Sequence, residues 1–297
     1  MSYKFQGVCP VINIPFFSNG DIDYEGMKNI INYTIKKGCK SICVFAFNSE
    51  PHKMTTDEKK RVIKYFLNTV GERAESLVGL IDNSIQGVIE LGLTAKENGA
   101  DGVILYPPAL STPTGNELLN YFKTISDAID IDVMIQDNPR STGVTMSLEF
   151  LVEAFNSIKQ FNYLKVECPI PVRKMKKLIE LTNGNLKCYS GNGGIFAVDA
   201  FLNGAWGIMP GVTLADKFVD LYNYLSESKI DEGRRLFEKI LPVTWYEDQS
   251  LEFYISCEKY ILEQQGIITT GMTRKPNCVL SDDEKVELIQ LYERAYK

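Results

Sequence analysis

The chain has a single histidine, His52, in 297 residues. Zinc sites built on several histidines are therefore excluded, and a Ser-His-Asp triad or Cys-His dyad would have to use that one residue. Acid–base chemistry falls instead to carboxylates, Lys, Tyr or the substrate itself. No apolar stretch approaches ~20 residues, so no membrane-spanning helix is expected. There is no long basic run, and 32 Lys and Arg against 38 Asp and Glu leave a net charge of −6. Binding to nucleic acid through phosphate neutralisation is not expected. The first residues, MSYKFQGVCPVINIPFF, lack a basic segment followed by an apolar run and a small-residue cleavage site, so a cytoplasmic location is expected. Seven cysteines, an odd number with no CxxC, read as reduced thiols. Cys39 and Cys43 could share a metal, but no histidine lies near them, and packing at a buried strand is the reading preferred.

What is present is a soluble globular composition, 44% apolar and 24% charged. Short apolar runs alternate with amphipathic stretches. The runs are Val8–Ile14, Ser41–Phe47, Ser76–Ile81, Asp101–Tyr106, Ile131–Gln136, Tyr163–Glu167, Leu186–Ser190 and Ala205–Met209. Rich in Val and Ile, they suit strands buried on both faces of a parallel sheet. The segments between them carry helical spacing, with caps predicted at Thr56 and Ser147. Eight such alternations fit an α/β fold of the (β/α)8 TIM barrel type. A doubly wound open sheet would usually carry a Gly-rich fingerprint after its first strand, where this chain has Pro15-Phe16-Phe17. We therefore expect a barrel over residues 1–212 and a C-terminal helical extension packed on it over residues 213–297.

In such a barrel, function gathers where the strands end. Lys165 lies between apolar Leu164 and Val166 in the sixth run. A lysine in a buried strand is costly unless it faces a polar cavity or a partner, and a desolvated amine is a nucleophile toward carbonyls. A surface lysine at a strand end is the alternative. Asn48, Ser49 and Glu50 close the second run and could hold a carboxylate or simply form a capping turn. Gln136-Asp137-Asn138-Pro139 closes the fifth run. Ser190-Gly191-Asn192-Gly193-Gly194 closes the seventh and reads as a turn whose backbone lies close to a ligand, without the Lys and spacing of a Walker loop.

Several of these segments carry a resemblance. Gly7-Val-Cys-Pro-Val11, Ala46-Phe-Asn-Ser-Glu50, Tyr106-Pro-Pro108, Asn138-Pro139 with Ser141-Thr-Gly143, Leu164-Lys-Val-Glu167 and Ser190-Gly191 occur in the order found in the dihydrodipicolinate synthase / N-acetylneuraminate lyase family. The resemblance spans essentially the whole chain and implies that Lys165 forms a Schiff base. The departures bear on substrate. The family's usual Gly-Thr-Thr-Gly-Glu is Ala46-Phe47-Asn48-Ser49-Glu50 here. Gln136-Asp137 stands where a proton-relaying Tyr-Asn is usual, and Arg140 sits one residue before the usual arginine, whose place Ser141 takes. The altered motifs look more like those of L-2-keto-3-deoxyarabonate dehydratases, through Ile135-Gln136-Asp137-Asn138-Pro139, Lys165-Val166-Glu167 and Tyr246-Glu247-Asp248-Gln249. In Phe47-Asn48-Ser49-Glu50, Phe47 and Asn48 are exchanged relative to that branch.

The resemblance implies a lyase acting on a 2-keto-3-deoxy sugar acid, with dehydration expected ahead of aldol cleavage. A pyruvate-dependent aldolase, a dihydrodipicolinate synthase, and a non-catalytic barrel that binds a keto acid are the alternatives. Glu167, two residues beyond Lys165, projects to the same side of the strand and is either the base or the ion-pair partner of Lys165. Gln136 is expected to orient a hydroxyl or water. Asn48 and Ser49 are expected to bind the substrate carboxylate, with Ser190 and Gly191 at the substrate and Tyr106 near the mouth or packing beneath it. No metal or dissociable cofactor is implied. The partner is a small keto acid, and the expected assembly is a homotetramer or homodimer.

Overall fold

The computed structural model describes residues 3–297. Eight parallel strands follow one another around a sheet: β1 (Gly7–Val8), β2 (Ser41–Val44), β3 (Glu75–Leu80), β4 (Gly102–Leu105), β5 (Val133–Asp137), β6 (Phe161–Val166), β7 (Lys187–Ser190) and β8 (Gly207–Ile208). β1 pairs with β8 through Gly7 and Gly207, and the chain just beyond β1 bridges back to β2 between Val11 and Cys43. The ring thus closes as the TIM barrel that the alternating runs predict. The first run was expected to be a strand over its whole length. Only Gly7–Val8 is one: Cys9 and Val11 N–H still donate to Ile208 O and Pro210 O, and Ile12 N–H to Cys43 O, but Pro10 between them has no N–H to continue the ladder.

Helices α1 (Tyr24–Lys36), α2 (Thr56–Val70), α3 (Ile85–Glu97), α4 (Gly115–Ile129), the one-turn α5 (Pro139–Thr142), α6 (Leu148–Ser157), α7 (Pro171–Leu181) and α8 (Ala197–Leu202) connect the strands. α9 (Ala215–Ser226), α10 (Ile230–Glu247), α11 (Leu251–Gln264) and α12 (Asp282–Arg294) follow. α9 packs against β1, so it completes the eighth strand–helix repeat and carries that repeat past residue 212. The cap of α2 is Thr55, not Thr56: Thr55 Oγ1 accepts from Glu58 N–H while the Glu58 side chain accepts from Thr55 N–H. Ser147 caps α6 as expected.

The strands have two different faces. Leu164 and Val166 of β6 pack outward into the layer between barrel and helices, whereas Tyr163 packs inside the barrel with Phe5, Ile104, Met134 and Tyr189. Alternation then places Lys165 inside, above Tyr163. Cys43 belongs to that interior, and Cys39 belongs to a separate cluster with Phe218 and Leu221, so the two thiols pack in different places. Among the described residues, no helix is long and apolar enough to cross a membrane.

Candidate active site

Register sets the first layer of the site. Gln136 on β5 pairs with Lys165 on β6, which pairs with Tyr189 on β7. Lys165 is 4% exposed. Its Nζ stands 3.4 Å from Glu167 Oε1. The Glu167 carboxylate is held from three more directions. Oε1 accepts from Asn192 N–H at 2.8 Å, and Oε2 accepts from Asn138 Nδ2 at 2.8 Å and from Gln136 Nε2. Burial alone would raise the Glu167 pKa. The Lys165 charge and the three N–H donors outweigh it and hold the carboxyl below the usual range. Gln136 Oε1 is left buried and without a hydrogen-bond partner among the described residues.

These groups open into one cavity. Asn48, Gln136, Lys165 and Glu167 line it, together with Asn138, Arg140, Ser141, Asn192, Asp248, Ser250 and Tyr254. The other four residues expected at the site lie outside this lining. Ser49 is fully buried; its hydroxyl donates to Ile12 O at 2.5 Å and accepts from Phe45 N–H at 2.9 Å, so it ties the turn together. Tyr106 donates to Phe45 O at 3.0 Å and stands behind Phe47, with 5.0 Å between ring centroids. Ser190 shares the register of Val166, on the face turned toward the helices. Gly191 serves Glu167: a Cβ there would lie 2.2 Å from Glu167 Oε1.

The second-strand turn is pinned from the C-terminal extension. Glu50, with φ of 58°, buries its carboxylate against Lys259 of α11, against Lys53 at 3.0 Å and against Arg274 N–H at 3.0 Å. Burial outweighs the attraction of Glu50 and lowers Lys259 to about 8. Contacts such as these, and the cavity wall formed by Asp248, Ser250 and Tyr254, join segments about 100 to 200 residues apart. The segment Tyr246–Gln249 had been marked only by its motif. Asn138 and Arg140 were visible as parts of a turn, but nothing local ties Asn138 to Glu167. Among the described residues, no group of three His, Cys, Asp or Glu is placed to hold a metal ion.

A closed barrel of parallel strands with a buried lysine–carboxylate pair where its sixth strand ends defines the class, an α/β barrel with a polar site at the carboxyl ends of its strands. The particular family follows from comparison with known proteins. The model of the dihydrodipicolinate synthetase family matches residues 4–295, and the chain belongs to that family, whose members are lyases that form Schiff bases with small keto acids. The chain is 26% identical to an L-2-keto-3-deoxyarabonate dehydratase of Azospirillum brasilense over 295 residues, 98% of this chain and 94% of that protein. It is 27% identical to a 4-hydroxy-tetrahydrodipicolinate synthase of Fervidobacterium nodosum over 239 residues, 80% of this chain and 81% of that one. The crystal structure of a dihydrodipicolinate synthase from Rhodopseudomonas palustris superposes with a TM-score of 0.91 at 25% identity, covering 97% of each chain.

Proposed function

We propose that the protein is a Schiff-base lyase that dehydrates a 2-keto-3-deoxy sugar acid. The observation that carries this reading is the trio at the ends of β5 and β6: Lys165 beside a carboxylate that the Gln136 amide holds in place. Lys165 passes a proton to Glu167 and attacks the C2 ketone, and the carbinolamine oxygen takes that proton back as it leaves. Loss of water leaves an iminium, whose positive charge faces Glu167 as the ammonium did. The iminium draws electrons from C3, and Glu167 takes the C3 proton. The resulting enamine pushes out the C4 hydroxyl, which leaves as water with a proton returned by Glu167. The conjugated iminium then tautomerises, losing protons from C5 and its hydroxyl and gaining them at C3 and C4, and hydrolysis frees Lys165 and a dicarbonyl acid. Gln136 Oε1 accepts a hydrogen bond from a substrate hydroxyl, and Asn48 lies on the wall that faces the substrate carboxylate. A homotetramer or homodimer in the cytoplasm belongs to the same reading.

Aldol cleavage begins from the same iminium but needs a base for the C4 hydroxyl and breaks C3–C4. At this strand end an amide stands where a phenol would serve that purpose, and an amide does not shuttle protons. The test is a panel of 2-keto-3-deoxy acids with water elimination and pyruvate release followed in parallel, combined with borohydride trapping. We expect a semialdehyde without pyruvate and a reduced adduct on the peptide that carries Lys165. Lys165→Ala abolishes both while the chain stays folded. Pyruvate release would establish an aldolase, and condensation of pyruvate with aspartate semialdehyde a synthase. Calorimetric binding without turnover would establish a keto-acid-binding barrel.

A further inference from the structure

Four charged side chains line the cavity among the described residues: Lys165, Glu167, Arg140 and Asp248. They form two opposed pairs. The inner pair is the reacting lysine and its carboxylate. The outer pair bridges barrel and extension. Arg140 on α5 donates from Nη1 to Asp248 Oδ2 at 3.3 Å, and from Nη2 to the carbonyls of Asp248 at 3.3 Å and Gln249 at 2.9 Å. Those carbonyls lie just past the end of α10, where backbone oxygens lack intrahelical donors and the helix dipole is negative. The guanidinium is thus compensated by one carboxylate and two carbonyls. Around the pair the lining is neutral and hydrogen-bonding: Asn138, Ser141, Asn192 and Ser250.

From this we infer that the Arg140–Asp248 pair is a specificity determinant that admits keto acids with an uncharged, hydroxylated far end and turns away a second carboxylate. A hydroxyl can donate to Asp248 or to the neutral amides without disturbing the pair. A carboxylate would meet a guanidinium whose Nη1 and Nη2 already donate to Asp248 and Gln249, and it would remain beside the Asp248 charge. Arg140 therefore does not act as an open anion receptor, although an arginine at the mouth of a keto-acid site invites that reading. The inference deepens the proposed function and rests on Lys165 as the carbonyl-binding residue.

Two six-carbon 2-keto-3-deoxy acids that differ only at C6, hydroxymethyl or carboxylate, test it, with pyruvate as a reference that has no far end. Half-saturation of borohydride trapping at Lys165 is measured by peptide mass spectrometry. In the wild-type protein, the hydroxymethyl acid half-saturates at a concentration roughly tenfold or more below that of the diacid. Asp248→Asn keeps the shape and the backbone carbonyls but removes the charge. It lowers the diacid's half-saturation by roughly tenfold relative to that of pyruvate. Adding Arg140→Met cancels the gain. Equal half-saturation of the two acids in the wild-type protein, or an unchanged ratio in Asp248→Asn, overturns the inference. If no adduct forms with any acid, the reading of Lys165 fails, and calorimetric binding of the two acids decides the wall separately. A preference for the hydroxymethyl acid that Asp248→Asn removes would sustain the wall without the Schiff base, and no preference would sink both.

Discussion

Replacing Gly191 with alanine puts one carbon where the structure has room for none. The new Cβ would lie 2.2 Å from Glu167 Oε1, 2.4 Å from Cγ and 2.5 Å from Cδ. Ordinary contact begins near 3.4 Å, so the carboxylate must retreat by about 1.2 Å. The retreat strains the bonds from Gln136, Asn138 and Asn192 and moves Glu167 away from Lys165. Overpacking of this kind costs about 1–3 kcal/mol, and a weakened hydrogen bond to a charged group adds to it. We expect a net loss near 3 kcal/mol, a fall in Tm of about 6 °C for a chain of this size. Misplacing a catalytic group by about 1 Å lowers the rate by roughly a hundredfold. The assay is the rate of borohydride trapping by pyruvate, read beside a thermal melt. Gly184→Ala is the control: its φ is 72° with nothing within 4 Å of a Cβ, so it costs stability through the backbone and leaves trapping unchanged. Wild-type trapping and an unshifted Tm in Gly191→Ala would refute the view that this glycine exists to admit Glu167.

Two further outcomes follow from buried charge. Burial and the neighbouring Glu258 push Glu247 well above the usual carboxylate range, and burial raises Glu258 to about 7 despite its bonds from Val212 N–H and Thr213 Oγ1. The folded state therefore holds more protons than the unfolded one above about pH 4.5, and stability falls as pH rises from there toward and past 7. Glu247→Gln should flatten that slope, by about 1–3 kcal/mol between pH 5 and pH 8 in urea titrations; an unchanged slope would show that the pair is not strained. Lys259→Met leaves Glu50 with only Lys53 and the Arg274 amide. It should destabilise the protein by about 3 kcal/mol in the same titration, whereas a loss under about 1 kcal/mol would show that the two remaining donors suffice.

The barrel was legible because its signal is local and repeated. Each strand buried on both faces reads as a short apolar run, and each helix carries its own spacing and caps. Lys165 was legible because one charge in such a run contradicts the run. Strand ends were less so: Pro10, which has no N–H to donate, ends β1 inside an apolar run that reads as continuous. Ser49 and Ser190 show the limit at the site. Both are small, polar and at the correct strand ends, yet one is consumed by Ile12 and Phe45 and the other faces the helices. The outer wall lay beyond local reading altogether, because Arg140 meets Asp248 across 108 residues of chain.

The amide at position 136 changes where protons can travel. A phenol has a single proton, so once it donates to Glu167 it has none to pass elsewhere. Gln136 keeps its donor and acceptor on separate atoms: Nε2 holds Glu167, and Oε1 is buried without a partner among the described residues. The strand end that could have relayed a proton thereby becomes a fixed contact, and the carboxylate it holds, Glu167, stands 3.4 Å from Lys165. Its pKa, held low by four neighbours, makes it a poor resting base but a ready acid once protonated, because the same donors favour return of the carboxylate. Elimination asks for that behaviour. The proton taken from C3 is needed again at the departing C4 oxygen, and a single carboxylate between the two can carry it.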